Sequence, residues 1–254
     1  MKDQRALAFV NMYGILGCLE NLCDLDSEAK KILSGLKKPV SLCLSVKDGP
    51  CCTFHFTKDG CRMTEGSEGS SCKMNFSSPE KFNAMIDSGK PGIPGKNPVQ
   101  LLSFLAGPFT ALTNRLTTLL RPAPDALRQR AFFEESTVLT LYTIAGAISA
   151  LANNDPISRI SAENTVDGTV ALGIRESVGI SISVKNHHFT TVKAPADSPR
   201  ASMEFADIDL AHRLFQGECA TINEMCKGTI ILKGMISMLD NINRILDRVS
   251  VYLA

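Results

Sequence analysis

Apolar and polar positions run along this chain in two rhythms, one of three to four residues and one of two. Between Met235 and Leu253 the residues Met235, Met238, Leu239, Ile242, Ile245, Leu246, Val249, Tyr252 and Leu253 recur at steps of three and four. That spacing predicts one apolar face of a helix. Asp240, Asn243, Arg244, Asp247 and Arg248 fall on its polar face. Just upstream, Thr229 to Leu232 is β-branched and apolar between Gly228 and Gly234, which predicts a buried strand. Asp207 is placed to cap a helix that carries Leu210, Leu214 and Phe215 on one face, with Gly217 at its end. Ahead of that cap, Ser202 and Glu204 alternate with Met203 and Phe205, the period of a strand.

The same order of patterns is present twice. Tyr13, Ile15, Gly17, Leu22 and Asp26 fall on Tyr142, Ile144, Gly146, Leu151 and Asp155 at a constant shift (142 − 13 = 129). Leu42, Leu44 and Val46 fall on Val170, Leu172 and Ile174, and Cys52, Phe54 and Phe56 on Ile180, Ile182 and Val184 (182 − 54 = 128). Cys72 to Phe76 returns as Ala201 to Phe205. A period of half the chain predicts duplicated domains rather than a solenoid. Each copy opens with a long apolar helix, about Arg5 to Leu22 and about Asp125 to Ala152. Four short alternating strands follow, from Ser41 to Phe76 and from Thr169 to Phe205, and then a capped helix, Ser78 to Asp87 and Asp207 to Gln216. Lys47-Asp-Gly-Pro50 and Lys58-Asp-Gly60 carry tight-turn chemistry, since Asp-Gly tolerates positive φ. The expected fold is α/β (α+β), two tandem copies of a mainly antiparallel sheet covered by helices. The copies span residues 1–122 and 125–254, joined at Arg121-Pro-Ala-Pro124.

The copies part after the capped helix. The first has a stiff loop, Gly89 to Pro98. Its last helix is interrupted by Thr110, Thr113, Thr117 and Thr118, so its apolar wall is expected to be broken. The second has a short helical stretch, Glu218 to Lys227, then the Gly-bounded strand and the long amphipathic helix.

Composition narrows the function. With 27 basic and 26 acidic side chains, the chain lacks the basic excess of a nucleic-acid surface, and without Trp it offers few stacking platforms. Nine cysteines form no C-x-x-C pair and sit mostly among apolar neighbours, which fits free thiols in a reducing cytoplasm. Ile15-Leu-Gly-Cys18 looks like a lipoprotein cleavage box, but its counterpart Ile144-Ala-Gly-Ala147 lies mid-chain, so an ordinary first helix is expected. No run is expected to be long enough for an integral membrane segment.

Four patterns bear on catalytic chemistry. There is no G-x-S-x-G elbow. Gly89, Gly92, Gly95 and Lys96 resemble a phosphate loop, but Asn97 stands where Ser or Thr is required. His187 and His188 are adjacent on a strand end and so point apart, which argues against a shared metal. Cys51 and Cys52, a candidate redox pair, alternate faces in the same way. The expectation is therefore no catalytic residues, no metal, no cofactor and no enzyme.

The stretch from Phe205 to Glu218, with Gly228 to Gly234 and the helix after it, resembles the lipid-binding domain of the sterol carrier protein type-2 family. The resemblance implies an apolar tunnel between sheet and helices, holding a fatty acid, acyl-CoA or other lipid. The residues expected to line it are Phe205, Leu214, Ile231, Met235, Met238, Leu239, Ile242 and Leu246. The partner would be a lipid or other apolar small molecule. The alternative is an interaction protein with filled cores that forms a homodimer through its apolar helices.

Overall fold

The computed structural model describes residues 2–88 and 99–253. It divides into two units, Met1–Glu135 and Ser136–Ala254. The Gly89–Pro98 loop lies outside the described residues.

In the first unit, α1 (Gln4–Leu25) is opened by Asp3, whose carboxylate accepts the Ala6 N–H at 2.8 Å. Its ladder widens into a π turn at Val10–Ile15 and tightens to a 3-10 turn at Leu16–Cys18. Next comes α2 (Ser27–Ser34), capped by the Asp26 carboxylate on the Ala29 N–H at 2.6 Å. Strands β1 (Val40–Val46), β2 (Cys51–Phe56), β3 (Cys61–Glu65) and β4 (Cys72–Phe76) form a sheet in the order β3-β2-β1-β4. β1 pairs β2 antiparallel and β4 parallel. Of the two Asp-Gly turns only the first uses positive φ, at Asp48 (φ 58); Asp59 and Gly60 do not. α3 (Pro79–Ser88) follows the sheet. α4 covers 99–120 and contains a π turn at Leu105–Phe109 around Pro108, whose ring cannot join a regular helical ladder.

In the second unit the long helix α5 (Arg130–Asn154) runs in from across the boundary. It starts later than the pattern implied: Ala126–Arg128 is a separate 3-10 turn and Gln129 is extended. α6 (Pro156–Glu163) is capped by Asp155 with Pro156 in its first turn, where proline's missing N–H costs nothing. β5 (Gly168–Ile174), β6 (Val178–Lys185), β7 (His188–Val192), β8 (Ala201–Phe205) and β9 (Ile230–Gly234) form the order β7-β6-β5-β8-β9. β5 pairs β6 antiparallel and β8 parallel, and β9 extends the sheet antiparallel to β8. Between β8 and β9 lie α7 (Ile208–Phe215) and α8 (Thr221–Cys226), and α9 (Ile236–Leu253) closes the chain. The fold class is the expected one, helices on mainly antiparallel sheets. α2 and α6 were not anticipated.

One expectation is corrected. Gln4–Leu25 and Arg130–Asn154 are both long and apolar enough to cross a membrane by length and composition. Interspersed Gly, Ser, Thr and Asn break up the apolar runs in the sequence and so mask this length. In each, 72% of the apolar window is buried inside the protein. A core helix covered on most sides is apolar all round for that reason.

Candidate functional site

The site is built on α9 and the strand it crosses. Gly234 (φ 83) ends β9, and the Met235 N–H donates to the Arg200 carbonyl at 3.0 Å, which swings the chain back over the sheet. From there Met238, Leu239, Ile242, Ile245, Val249 and Tyr252 form an unbroken buried stripe, and the helix packs on β8 and α6.

The far end of α9 is pinned by charge. Arg248, expected on the polar face, is mostly buried and reaches the carboxylate of Asp155 with Nε and Nη2, each at 3.3 Å. Tyr252 Oη donates to the same carboxylate at 2.8 Å, and the Ser158 N–H and hydroxyl each donate at 2.9 Å. Asp155 is 1% exposed. Burial alone would push its carboxyl up; the hydrogen bonds from Arg248, Ser158 and Tyr252 outweigh that and hold it below the usual carboxylate range. In the first unit Arg115 of α4 reaches buried Asp26 at 2.7 and 3.0 Å, with Glu135 3.9 Å away. Burial and the nearby Asp26 carboxylate push Glu135 up. Aspartate caps followed by a helix-forming turn were the available signal for both clasps; their arginine partners had none.

The near end of α9 is looser. Met235 is half-buried, Ile236 is 60% exposed and Ile222 on α8 is 63% exposed.

The expected lining residues divide between two faces of the sheet. Met238, Leu239 and Ile242 lie in the buried stripe, with Leu246 half-buried beside them and Met235 at its start. Phe205 is buried on β8, and its ring meets Phe215 edge-on at 5.8 Å. Leu214 is half-buried on α7. Ile231 is not brought to this layer. It pairs with Glu204 and, with Lys233, lines a groove of about 430 Å³ on the outer face. The groove's floor is small (Ala171, Gly173, Gly179, Ser202), Pro195 lies against Gly179, and the Arg175–Glu204 ion pair at 3.0 Å crosses its rim.

The sheet-to-helix layers of the two units are filled differently. In the first, Phe56 meets Phe104 at 5.2 Å, Phe109 at 6.1 Å and Phe54 at 6.3 Å, all buried. The threonines of α4 do not break its wall as expected. Thr110, Thr113, Thr117 and Thr118 each return the hydroxyl to a carbonyl of their own helix, and Leu112, Leu116 and Leu119 form a continuous buried stripe. In the second unit the strand positions matching Phe54 and Phe56 are aliphatic, Ile182 and Val184, and they lie with Val170, Leu172, Ile180 and Met203 in a layer whose buried strand rings are Phe189 and Phe205.

No family model matches the chain, and no curated protein matches it in sequence. Among solved structures it is similar to a ubiquinone synthesis protein, UbiJ-SCP2, with 10% identity and a TM-score of 0.34 over 44% of this chain and 96% of that one. It is similar to a sterol carrier protein 2 with 18% identity and a TM-score of 0.33, over 43% and 92%. A third similarity is to the inverting sec-alkylsulfatase Pisa1 from Pseudomonas sp., at 7% identity and a TM-score of 0.29, over 63% of this chain and 29% of that one.

Proposed function

We propose that the second unit binds an elongated apolar molecule, a fatty acid, acyl-CoA or other lipid, between its sheet and α9, without covalent chemistry. We further read the chain as a tandem of two copies of one unit, the first serving as a filled, structural partner. The observation that carries this is the contrast between the two layers. Phe54, Phe56, Phe104 and Phe109 cluster in the first, whereas at the matching strand positions the second has the smaller aliphatic Ile182 and Val184, with Met203 and Met238 nearby. Methionine is flexible and adapts to ligands of varied shape. Moving a lipid tail from water into such a layer is favourable by about 0.8 kcal/mol per methylene. The half-buried and exposed apolar residues at the near end of α9 support entry there, while the Asp155 clasp holds the far end. Nine free cysteines support a reducing compartment such as the cytoplasm.

Native mass spectrometry of the purified protein tests the reading, followed by delipidation and titration with a fluorescent fatty acid. A co-purified lipid and saturable rebinding are expected. Bare protein that binds no fatty acid would instead favour an interaction protein, and a dimer in the same spectra would fit association through apolar helices.

A further inference from the structure

The sulfur chemistry of the first unit lies elsewhere than the adjacent pair Cys51-Cys52. Strand alternation sends Cys52 into the helix-covered face, where burial holds its thiol protonated. Cys51 points to the opposite face and meets Cys43 of β1, with the two Sγ atoms 3.9 Å apart and unbonded. The strand register pairs Cys43 with Thr53 and Ser45 with Cys51, so the thiols are diagonal neighbours on one face. Their surroundings are built. The Cys51 carbonyl accepts the Gly66 N–H at 2.9 Å and Tyr13 Oη at 3.2 Å, and Thr53 Oγ1 donates to the Gly66 carbonyl at 2.9 Å. Cys43 is fully buried while Cys51 is half-buried. Burial and the neighbouring Cys51 push the Cys43 thiol up, and Lys73, beside it across the parallel β1–β4 pairing, opposes this only weakly. In the second unit the matching outer-face positions, Ala171 and Gly179, carry no sulfur.

We propose that Cys43 and Cys51 are a redox-responsive dithiol that a low-molecular-weight disulfide of the glutathione class closes into an intramolecular bridge. Cys51, the accessible thiol, loses its proton and attacks one sulfur of the small disulfide. An S–S bond forms from Cys51 to one half, and the other half leaves as thiolate and takes up a proton. Cys43 then loses its proton and attacks the Cys51 sulfur, expelling the second half as a thiol. Two protein thiols are oxidised and one disulfide is reduced to two small thiols. Their contact makes the second step intramolecular and fast, because the S–S bond of about 2.05 Å needs a further approach of only about 1.9 Å. Diagonal positions are wider apart than directly opposed ones, so the bridge is of the strained, readily reduced kind.

The test incubates the reduced full chain with oxidised glutathione, then applies intact mass and non-reducing peptide mapping. The expected result is a chain lighter by two hydrogens at this site, a Cys43–Cys51 cross-linked peptide, and reversal by dithiothreitol. Cys43→Ser and Cys43→Ala, each checked for fold by circular dichroism, are expected to retain a glutathione adduct on Cys51. Cys51→Ser should leave Cys43 unmodified. A wild-type chain that keeps the adduct on Cys51, stays unmodified there, or bridges Cys51 to any other cysteine overturns the proposal.

Discussion

Arg248 and Asp155 face each other two-on-two, Nε to one carboxylate oxygen and Nη2 to the other, each at 3.3 Å. The residues are 93 positions apart, and the contact ties the closing helix to the cap of α6. Such a paired geometry fixes the orientation of both groups as well as adding charge attraction. It also leaves a buried carboxylate dependent on its partner.

Removing that partner is expected to cost much more than a surface ion pair would. Arg248→Met keeps most of the apolar stem but strips the charge, and a loss on the order of 3 kcal/mol is expected in urea denaturation. Arg248→Lys should fall between, since an ammonium cannot satisfy both oxygens at once. The clasp also carries a pH signature. Because the folded Asp155 carboxyl is held below its unfolded value of about 3.9, its stabilisation is complete above that pH and is lost as pH falls below it. Asp155→Asn, less stable at neutral pH, should show a shallower acid limb.

His212 gives a second signature at higher pH. It is buried on α7 with Nδ1 3.1 Å from Thr137 Oγ1. Burial lowers its tendency to hold a proton, against the weaker pull of Glu218 and Asp209. The folded state therefore binds fewer protons than the unfolded one below about pH 6.5, and stability should decline as pH falls from there. Melting temperatures of wild type and His212→Gln across that range decide it; equal slopes would count against the assignment.

The proposed ligand layer can be probed by filling it. Ile182 and Val184 stand in the second sheet where Phe54 and Phe56 stand in the first (184 − 56 = 128). Ile182→Phe is expected to weaken fluorescent fatty acid binding at least about tenfold, equivalent to 1.4 kcal/mol, while the fold holds. If the layer is already packed solid, the added ring instead costs about 1–3 kcal/mol of stability. Unchanged binding with that loss would sink the lipid reading.

Gly234 sets where α9 starts. It sits at φ 83, and a Cβ there would run into the Arg200 carbonyl oxygen across the strand pair. Gly234→Ala is expected to cost on the order of 3 kcal/mol, since the obstacle is backbone and cannot swing aside. Gly66, at φ 81 with open space where a Cβ would stand, is the control. Gly66→Ala should cost about 1 kcal/mol in thermal unfolding.

Much of the architecture could be read before any coordinate. Ala201–Phe205 is a strand with the expected bounds, and Asp207 caps α7 through the Leu210 N–H at 2.7 Å. The stripe Met238, Leu239, Ile242 is buried as its spacing implied. Ile231 falls on the opposite face of the sheet from Phe205, a placement the sequence could not give, because an apolar run in a strand does not say which of its two faces the helices cover. α2 and α6 escaped notice because each buries few apolar side chains, Ala29 and Leu33 in one and Ala162 in the other, whereas the equally short α7 buries Ile208, Leu210 and Ala211.

Local chemistry settled what each segment is. Periods of two and of three to four place side chains on a strand face or a helix stripe through backbone geometry alone, and caps such as Asp207 act within one turn. Which element covers a face is settled by contacts between distant segments, and only the tertiary structure decides those. Arg248 reads as a polar-face residue on its helix and is mostly buried because α6 brings Asp155 beneath it. Cys51 reads as facing away from Cys52 with no partner in the sequence, and it meets Cys43 because the β1–β2 register sets them diagonally on one face. The threonines of α4 read as breaks in a wall, yet each turns its hydroxyl back to its own backbone while the rings of Phe54, Phe56, Phe104 and Phe109 fill the layer below.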